Sequence, residues 1–197
     1  MSTTRAYHHG NLRSALLTRA ERTVREHGVA ALSLRELARD TGVSHGAPRR
    51  HFADRRALLD ALAEGGFERL GRELAAAVEG AGAGFGGRLQ ALAHAYVNFA
   101  TRDAALLELM FASKHREGAQ DTREAADRAF AIPLGVIAAA QTEGEAVAGD
   151  AEAMARVAFA TLHGLATMVN GEMLGGDDLD AIVSDTVKRL LAGLMPR

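Results

Sequence analysis

The chain contains no cysteine. Neither a disulfide framework nor a thiolate metal centre is therefore available to it. The first twenty residues, MSTTRAYHHGNLRSALLTRA, hold no apolar core and no small-residue cleavage signal, so they do not read as a secretory leader. The most apolar short stretch, Ala131 to Ala140, is far too short to span a bilayer. No segment carries a convincing strand pattern; every long stretch has a helical period instead. With 48% apolar and 24% charged residues, the composition is that of a globular protein and not of a disordered one. Its 197 residues suit one compact unit, or a small domain rigidly joined to a larger one. A soluble cytoplasmic protein with no membrane partner is expected.

Net charge is also small, at −2, but the balance hides an asymmetry. Residues 1–56 hold 11 Arg against 5 Asp and Glu, or +6, and the remainder holds 12 basic against 20 acidic residues, or −8. A basic head on an acidic body gives an electrostatic footprint for a polyanion at one end only. Because Arg is used almost to the exclusion of Lys, genomic bias is a second explanation for the imbalance.

Apolar stripes place about nine helices. Leu12, Leu16, Ala20 and Val24 recur every four residues and predict a helix over about 11–27, with Gly28 as its left-handed cap. Ser33 followed by Glu36 reads as a capping box opening a short helix, with Leu34, Leu37 and Ala38 on its buried face. Thr41-Gly42-Val43 supplies a tight turn. Ser44 can cap the next helix, whose first turn contains Pro48, where a missing N–H costs least. Asp54 can cap a longer helix running through Leu58, Leu62 and Leu70 to about Glu79. Gly80–Gly87 is the clearest linker. It contains Gly82-x-Gly84-x-x-Gly87, the letters of a dinucleotide-binding fingerprint. That fingerprint needs a preceding strand, and here a helix precedes it, so the stretch reads as an interhelical loop.

Further helices are predicted over about 86–101, 103–114, 120–143, 151–173 and 178–195, with Pro133 expected to bend or interrupt the third of these. The last two carry broad apolar faces. Met154, Val157, Ala158, Thr161, Leu162, Leu165 and Met168 form one; Leu179, Ile182, Val183, Val187, Leu190, Leu191 and Leu194 form the other. Such faces either complete an internal core or pair with a symmetry mate as a four-helix bundle, and the residues by themselves favour the core slightly. Asp177 and Asp178 read as acids at a helix N-terminus, where the dipole favours them, and not as metal ligands.

A capped short helix, a glycine turn and a short polar helix make the outline of a DNA-reading helix-turn-helix. Leu34, Leu37 and Val43 would pack its two helices at a steep angle. Ser44, His45, Arg49 and Arg50 would then lie on the exposed side of the second, where donors and cations suit the major groove. Arginine there can take guanine edges bidentately or pair with phosphate. Arg35 and Arg55 would flank the groove as phosphate anchors. With Ser33, Gly46, Ala47 and His51 these complete the candidate DNA-contact set. Any one of these arginines reads equally well as solvated surface; the cluster on this scaffold does not. Catalysis is not expected, nor is a metal or cofactor. The eight histidines lack paired ligand spacing, and Ser44 and Ser113 lie in no nucleophile-elbow context.

Tyr7-His8-His9-Gly10-Asn11-Leu12-Arg13, then Gly28, then LSLRELARDTGVSHGAPRRHFADRRALLDAL over Leu32–Leu62, resemble the N-terminal domain of TetR-family transcriptional regulators. AYVNFATRDAALLELMFA (Ala95–Ala112) and Leu162-His163-Gly164-Leu165 are similar to the ligand-sensing domain of a subgroup with a His-Gly motif in its penultimate helix. The resemblance implies an all-α protein: a three-helix DNA-binding head over residues 1–56, and a ligand-binding and dimerisation body over 57–197, joined by the helix from about 54 to 79.

The resemblance also implies a homodimer on a double-stranded DNA operator, and it tips the last two helices toward a dimer bundle. The interface would then hold Met154, Val157, Thr161, Leu165, Leu179, Ile182, Val183, Leu190 and Leu194. A small apolar or amphipathic effector would occupy a pocket in the body. Aromatic and methionine content places that pocket among Tyr96, Phe99, Met110, Phe111, Phe130, His163 and Met168, with an ordinary core as the alternative for each. His163 is either a polar handle or a histidine satisfied by a backbone carbonyl. A ligand-responsive repressor of a roughly palindromic site is expected, with an activator, or a module that has lost specific DNA binding, as alternatives.

Two positions depart from the family pattern. Arg49 stands where the recognition helix usually has Tyr, and Arg56 where an acid is frequent. Both raise the positive charge, which strengthens nonspecific attraction and steepens its salt dependence. Gly46 weakens the recognition helix by roughly 1 kcal/mol relative to alanine.

Overall fold

The computed structural model describes residues 9–174 and 178–194, so Tyr7, His8 and Asp177 lie outside the described residues. The described chain is all-α: α1 (His9–His27), α2 (Leu34–Asp40), α3 (Arg55–Glu79), α4 (Phe85–Arg102), α5 (Ala104–Lys114), α6 (Gln120–Thr142), α7 (Ala151–Asn170) and α8 (Leu179–Leu194). Eight α-helices therefore stand where about nine were expected. The missing one is the recognition helix, which is replaced by turns and a single 3-10 turn over Pro48–Arg50.

The chain divides into two compact units. One holds the residues up to Gly66 together with Ala105–Arg123; the other holds Phe67–Ala104 and the residues from Glu124 onward.

In the first unit the four-residue stripe of α1 is the buried face: Leu16, Ala20 and Val24 are fully covered and Leu12 nearly so. This helix packs on α2 and on the 3-10 turn Val29–Ala31. Gly28 does take a positive φ, 75°, but its ψ of 170° is not that of a left-handed helical cap. It reverses the chain so that the 3-10 turn can begin. Ser33 occupies the N-cap position of α2 with extended backbone, and its carbonyl accepts from the Leu37 N–H at 2.9 Å. Its side chain makes no capping hydrogen bond, and Glu36 faces Arg39 at 3.9 Å, so the expected capping box is not formed.

The other end of α2 is closed by backbone bonds. Gly42, at φ 69°, lets the Gly42 N–H reach the Arg39 carbonyl and the Val43 N–H reach that of Ala38. This is the double bond pattern that ends helices on a glycine. Asp54 caps α3 as its spacing predicts, accepting from the Ala57 N–H at 2.8 Å.

In the second unit α4 packs on both α7 and α8. No strand precedes Gly82-x-Gly84-x-x-Gly87; α3 does, and the loop turns at Gly84 (φ 91°) into α4. The expected interruption at Pro133 does not occur, and α6 continues through it to Thr142. Only one helical hydrogen bond is removed by a proline, and in a helix of 23 residues the flanking turns hold the segment together. Asp150 caps α7, accepting from the N–H groups of Glu152 and Ala153. Asp178 likewise accepts from the Asp180 N–H at the start of α8, the helix-terminal role expected for it.

Candidate nucleic-acid interface

The segment from Ser44 to Phe52 follows the glycine closure of α2. Within it Ala47 N–H bonds to Ser44 O, Arg50 N–H to Ala47 O and His51 N–H to Pro48 O, all with three-residue spacing. Only Phe52 N–H to Pro48 O, at 2.9 Å, has the four-residue spacing of an α-helix. Sequence supplies the reason: Pro48 has no N–H to offer Ser44, and Gly46 contributes backbone freedom without helical preference. Ala47, and not Ser44, precedes the 3-10 turn, so the cap expected from Ser44 is absent with the helix it would have capped.

Pro48 and Phe52 are buried, four residues apart, and fix the segment to the unit. Between and before them Ser44, His45, Gly46, Arg49 and Arg50 are exposed, while Ala47 and His51 are half-buried. Arg35 is exposed near the start of α2, and Ser33 beside it is half-buried.

Several arginines of the basic head are matched internally. Arg19 donates through Nε and Nη2 to Asp40 Oδ2 at 3.0 and 2.7 Å, tying α1 to α2. Hydrogen bonding from Arg19 holds the Asp40 carboxyl below the usual carboxylate range. Arg25 pairs with Glu21, and Arg56 donates to the Glu117 carbonyl. Arg55, expected as a phosphate anchor, instead donates from Nε to Leu32 O at 3.0 Å and from Nη2 to Val29 O at 2.6 Å. Those carbonyls belong to the turn between α1 and α2, where the Val29 carbonyl also accepts from the Leu32 N–H at 3.2 Å. Among the described residues Arg35, Arg49 and Arg50 form no ion pair with a carboxylate, unlike the matched arginines of the same head. Exposed arginines with no carboxylate partner among the described residues thus lie at the reading segment and the start of α2, and on α1 at Arg13 and Arg22.

The residues expected to line a pocket are partly brought together. Tyr96 Oη lies 2.8 Å from His163 Nδ1. Phe159 stacks on the His163 ring and meets Tyr96 and Phe130 edge-on, with centroids 5.5 and 5.1 Å away. Sequence reasoning missed Phe159, although its position four residues before His163 places both on one face of α7.

Phe99 belongs to a different cluster. The Arg69 and Arg102 guanidinium groups lie over its ring, and both donate to the buried Asp103 carboxylate. Met110 and Phe111 belong to the first unit, on α5, and Met168 is 41% exposed on α7.

The expected interface residues also divide. Val157 (61%) and Thr161 are exposed on α7; Met154, Leu179, Ile182, Leu190 and Leu194 are half-buried. Leu165 and Val183 are buried within the chain, as the alternative of an internal core would have them.

Comparison with known proteins bears on this arrangement. A family model described as "Bacterial regulatory proteins, tetR family" matches residues 16–62, and one described as "Tetracyclin repressor-like, C-terminal domain" matches residues 89–194. No curated protein matches the chain. Among solved structures, a protein of unknown function from Rhodococcus sp. RHA1 is 47% identical, covers 98% of this chain and 100% of its own, and superposes with a TM-score of 0.92. A TetR family transcription regulator from Marinobacter aquaeolei VT8 is 16% identical, with coverage of 95% and 97% and a TM-score of 0.74. PfmR, a TetR family transcriptional regulator from Thermus thermophilus, is 18% identical, with coverage of 92% and 99% and a TM-score of 0.70. The chain belongs to the TetR family of bacterial regulatory proteins.

Proposed function

We propose that the protein is a cytoplasmic, non-enzymatic, ligand-responsive repressor that grips a roughly palindromic operator as a homodimer. Residues 1–56 act as the DNA-binding head and residues 57–197 as the ligand-binding and dimerisation body. The observation that carries this reading is the exposed, uncompensated pair Arg49 and Arg50 on a segment pinned by buried Pro48 and Phe52. Cations held so can take guanine edges or phosphates, while Ser44, His45 and the half-buried His51 add donors.

Dimerisation is supported by the exposed face of α7. Val157, the adjacent Ala160 and Thr161, Gly164 and Met168 recur at steps of three and four, a stripe of small and apolar side chains turned to solvent. A two-fold pair would set its reading segments roughly 34–36 Å apart, one duplex turn, so that dimer symmetry becomes operator symmetry. An apolar or amphipathic effector that prefers a differently spaced dimer then shifts the population away from DNA. Tyr96, Phe130 and His163, with Phe159, are the side chains we assign to effector contact.

A second reading, a module that has lost specific DNA binding, is favoured by one observation: the reading segment is not an α-helix. Selection of bound sites from random duplexes with the purified protein separates the two. Recovery of a palindromic consensus supports the repressor; binding that is absent, or insensitive to Arg49→Ala and Arg50→Ala, overturns it.

A further inference from the structure

Arg13 projects from the first half of α1 and is exposed. Its guanidinium carbon lies 5.5 Å from the centroid of the Phe52 ring. Phe52 is only 2% exposed and ends the reading segment, with its N–H bonded to the Pro48 carbonyl at 2.9 Å. The ring is therefore a fixed platform, and a cation resting on it is fixed relative to Arg49 and Arg50. A guanidinium lying over an aromatic face uses that face and keeps its in-plane N–H donors for other acceptors. Among the described residues no carboxylate pairs with Arg13, whereas Arg19 and Arg25 of the same helix are matched to Asp40 and Glu21.

A phosphate anchor must be exposed, uncompensated and rigidly placed beside the reading element. Arg13 meets all three conditions, while two donors of Arg55 are committed to the Leu32 and Val29 carbonyls. We propose that Arg13 contacts a DNA phosphate at the edge of the reading segment, and that Arg55 serves the fold of the head. Building the interface from α1 and the reading segment, with Arg13 and Phe52 39 residues apart, also explains how a segment short of helical bonds is positioned on DNA. This inference rests on the DNA-binding reading above.

The test is the salt dependence of binding to a mixed-sequence DNA duplex, measured with the full chain. Each lost phosphate contact makes the slope of log K against log salt shallower by about 0.9, which is about 3.5-fold in affinity over a fourfold salt range. Arg13→Gln is expected to flatten the slope by that amount per head, and Arg13→Lys to restore it. Arg55→Gln is expected to lower the melting temperature and leave the slope of the folded protein unchanged. Arg13→Met, which keeps an apolar stem on the Phe52 ring, serves where Arg13→Gln does not fold. A folded Arg13→Gln or Arg13→Met protein that keeps the wild-type slope overturns the inference, as does a slope that falls in Arg55→Gln but not in Arg13→Gln. A wild-type protein with no salt-dependent binding overturns the DNA-binding reading itself and this inference with it.

Discussion

The hydroxyl of Tyr96 on α4 and Nδ1 of His163 on α7 lie 2.8 Å apart. Burial pushes the Tyr96 phenol above its ordinary value, so the hydroxyl stays neutral in this hydrogen bond. Tyr96→Phe keeps the ring and its edge-on contact with Phe159 but removes this bond. Stability is expected to fall by about 1 kcal/mol, measured by denaturant unfolding. An unchanged midpoint would mean the bond contributes nothing to the fold.

A larger loss is expected at Asp103, whose side chain is 1% exposed and accepts from Arg69 and Arg102. Arg102 also donates to Glu73, and these bonds raise its pKa against the opposing effect of burial. Removing the one carboxylate takes from the two guanidinium groups the acceptor they share. Asp103→Ala is expected to cost about 3–5 kcal/mol, the scale for breaking a buried pair from one side. Urea unfolding that shows less than about 1 kcal/mol would place the pair in the class of surface salt bridges.

What was legible in the sequence was periodic. Leu12, Leu16, Ala20 and Val24 announce the buried face of α1, and Asp54 announces the cap of α3, because both signals act within a turn or two of the chain. The class of the fold and the basic reading segment follow from the same kind of local evidence. What was not legible depends on partners far along the chain. Arg55 reads as a free cation until Val29 and Leu32 present carbonyls to it, and Arg13 reads as one more exposed arginine until Phe52 is beneath it. Local rules also failed where two of them competed: Ser33 with Glu36 satisfies the capping pattern, yet Arg39 stands near Glu36.

The Arg19–Asp40 tie between α1 and α2 has a defined pH window. Asp40 has a depressed folded-state pKa, so its contribution is present above its ordinary value of 3.8 and is lost as pH falls through the folded one. Unfolding curves of the wild type and Asp40→Asn are expected to differ by a constant amount at neutral and mildly acidic pH. The two should converge in the acid range below 3.8. A gap that opens with falling pH would contradict the direction of the shift.

Gly46 lies in a stretch held mostly by three-residue bonds, and a Cβ built there meets nothing within 4 Å. Gly46→Ala is therefore sterically free and removes backbone freedom that binding would otherwise have to suppress. If the segment winds into an α-helix on the duplex, about 1 kcal/mol of helix preference returns as affinity, roughly a fivefold tightening. Circular dichroism of the wild type should gain helical signal on adding DNA, and Gly46→Ala should gain less because part of the helix is present beforehand. Equal affinity of the two proteins, with no change in helical signal for either, would show that the segment binds in the turn conformation it already has.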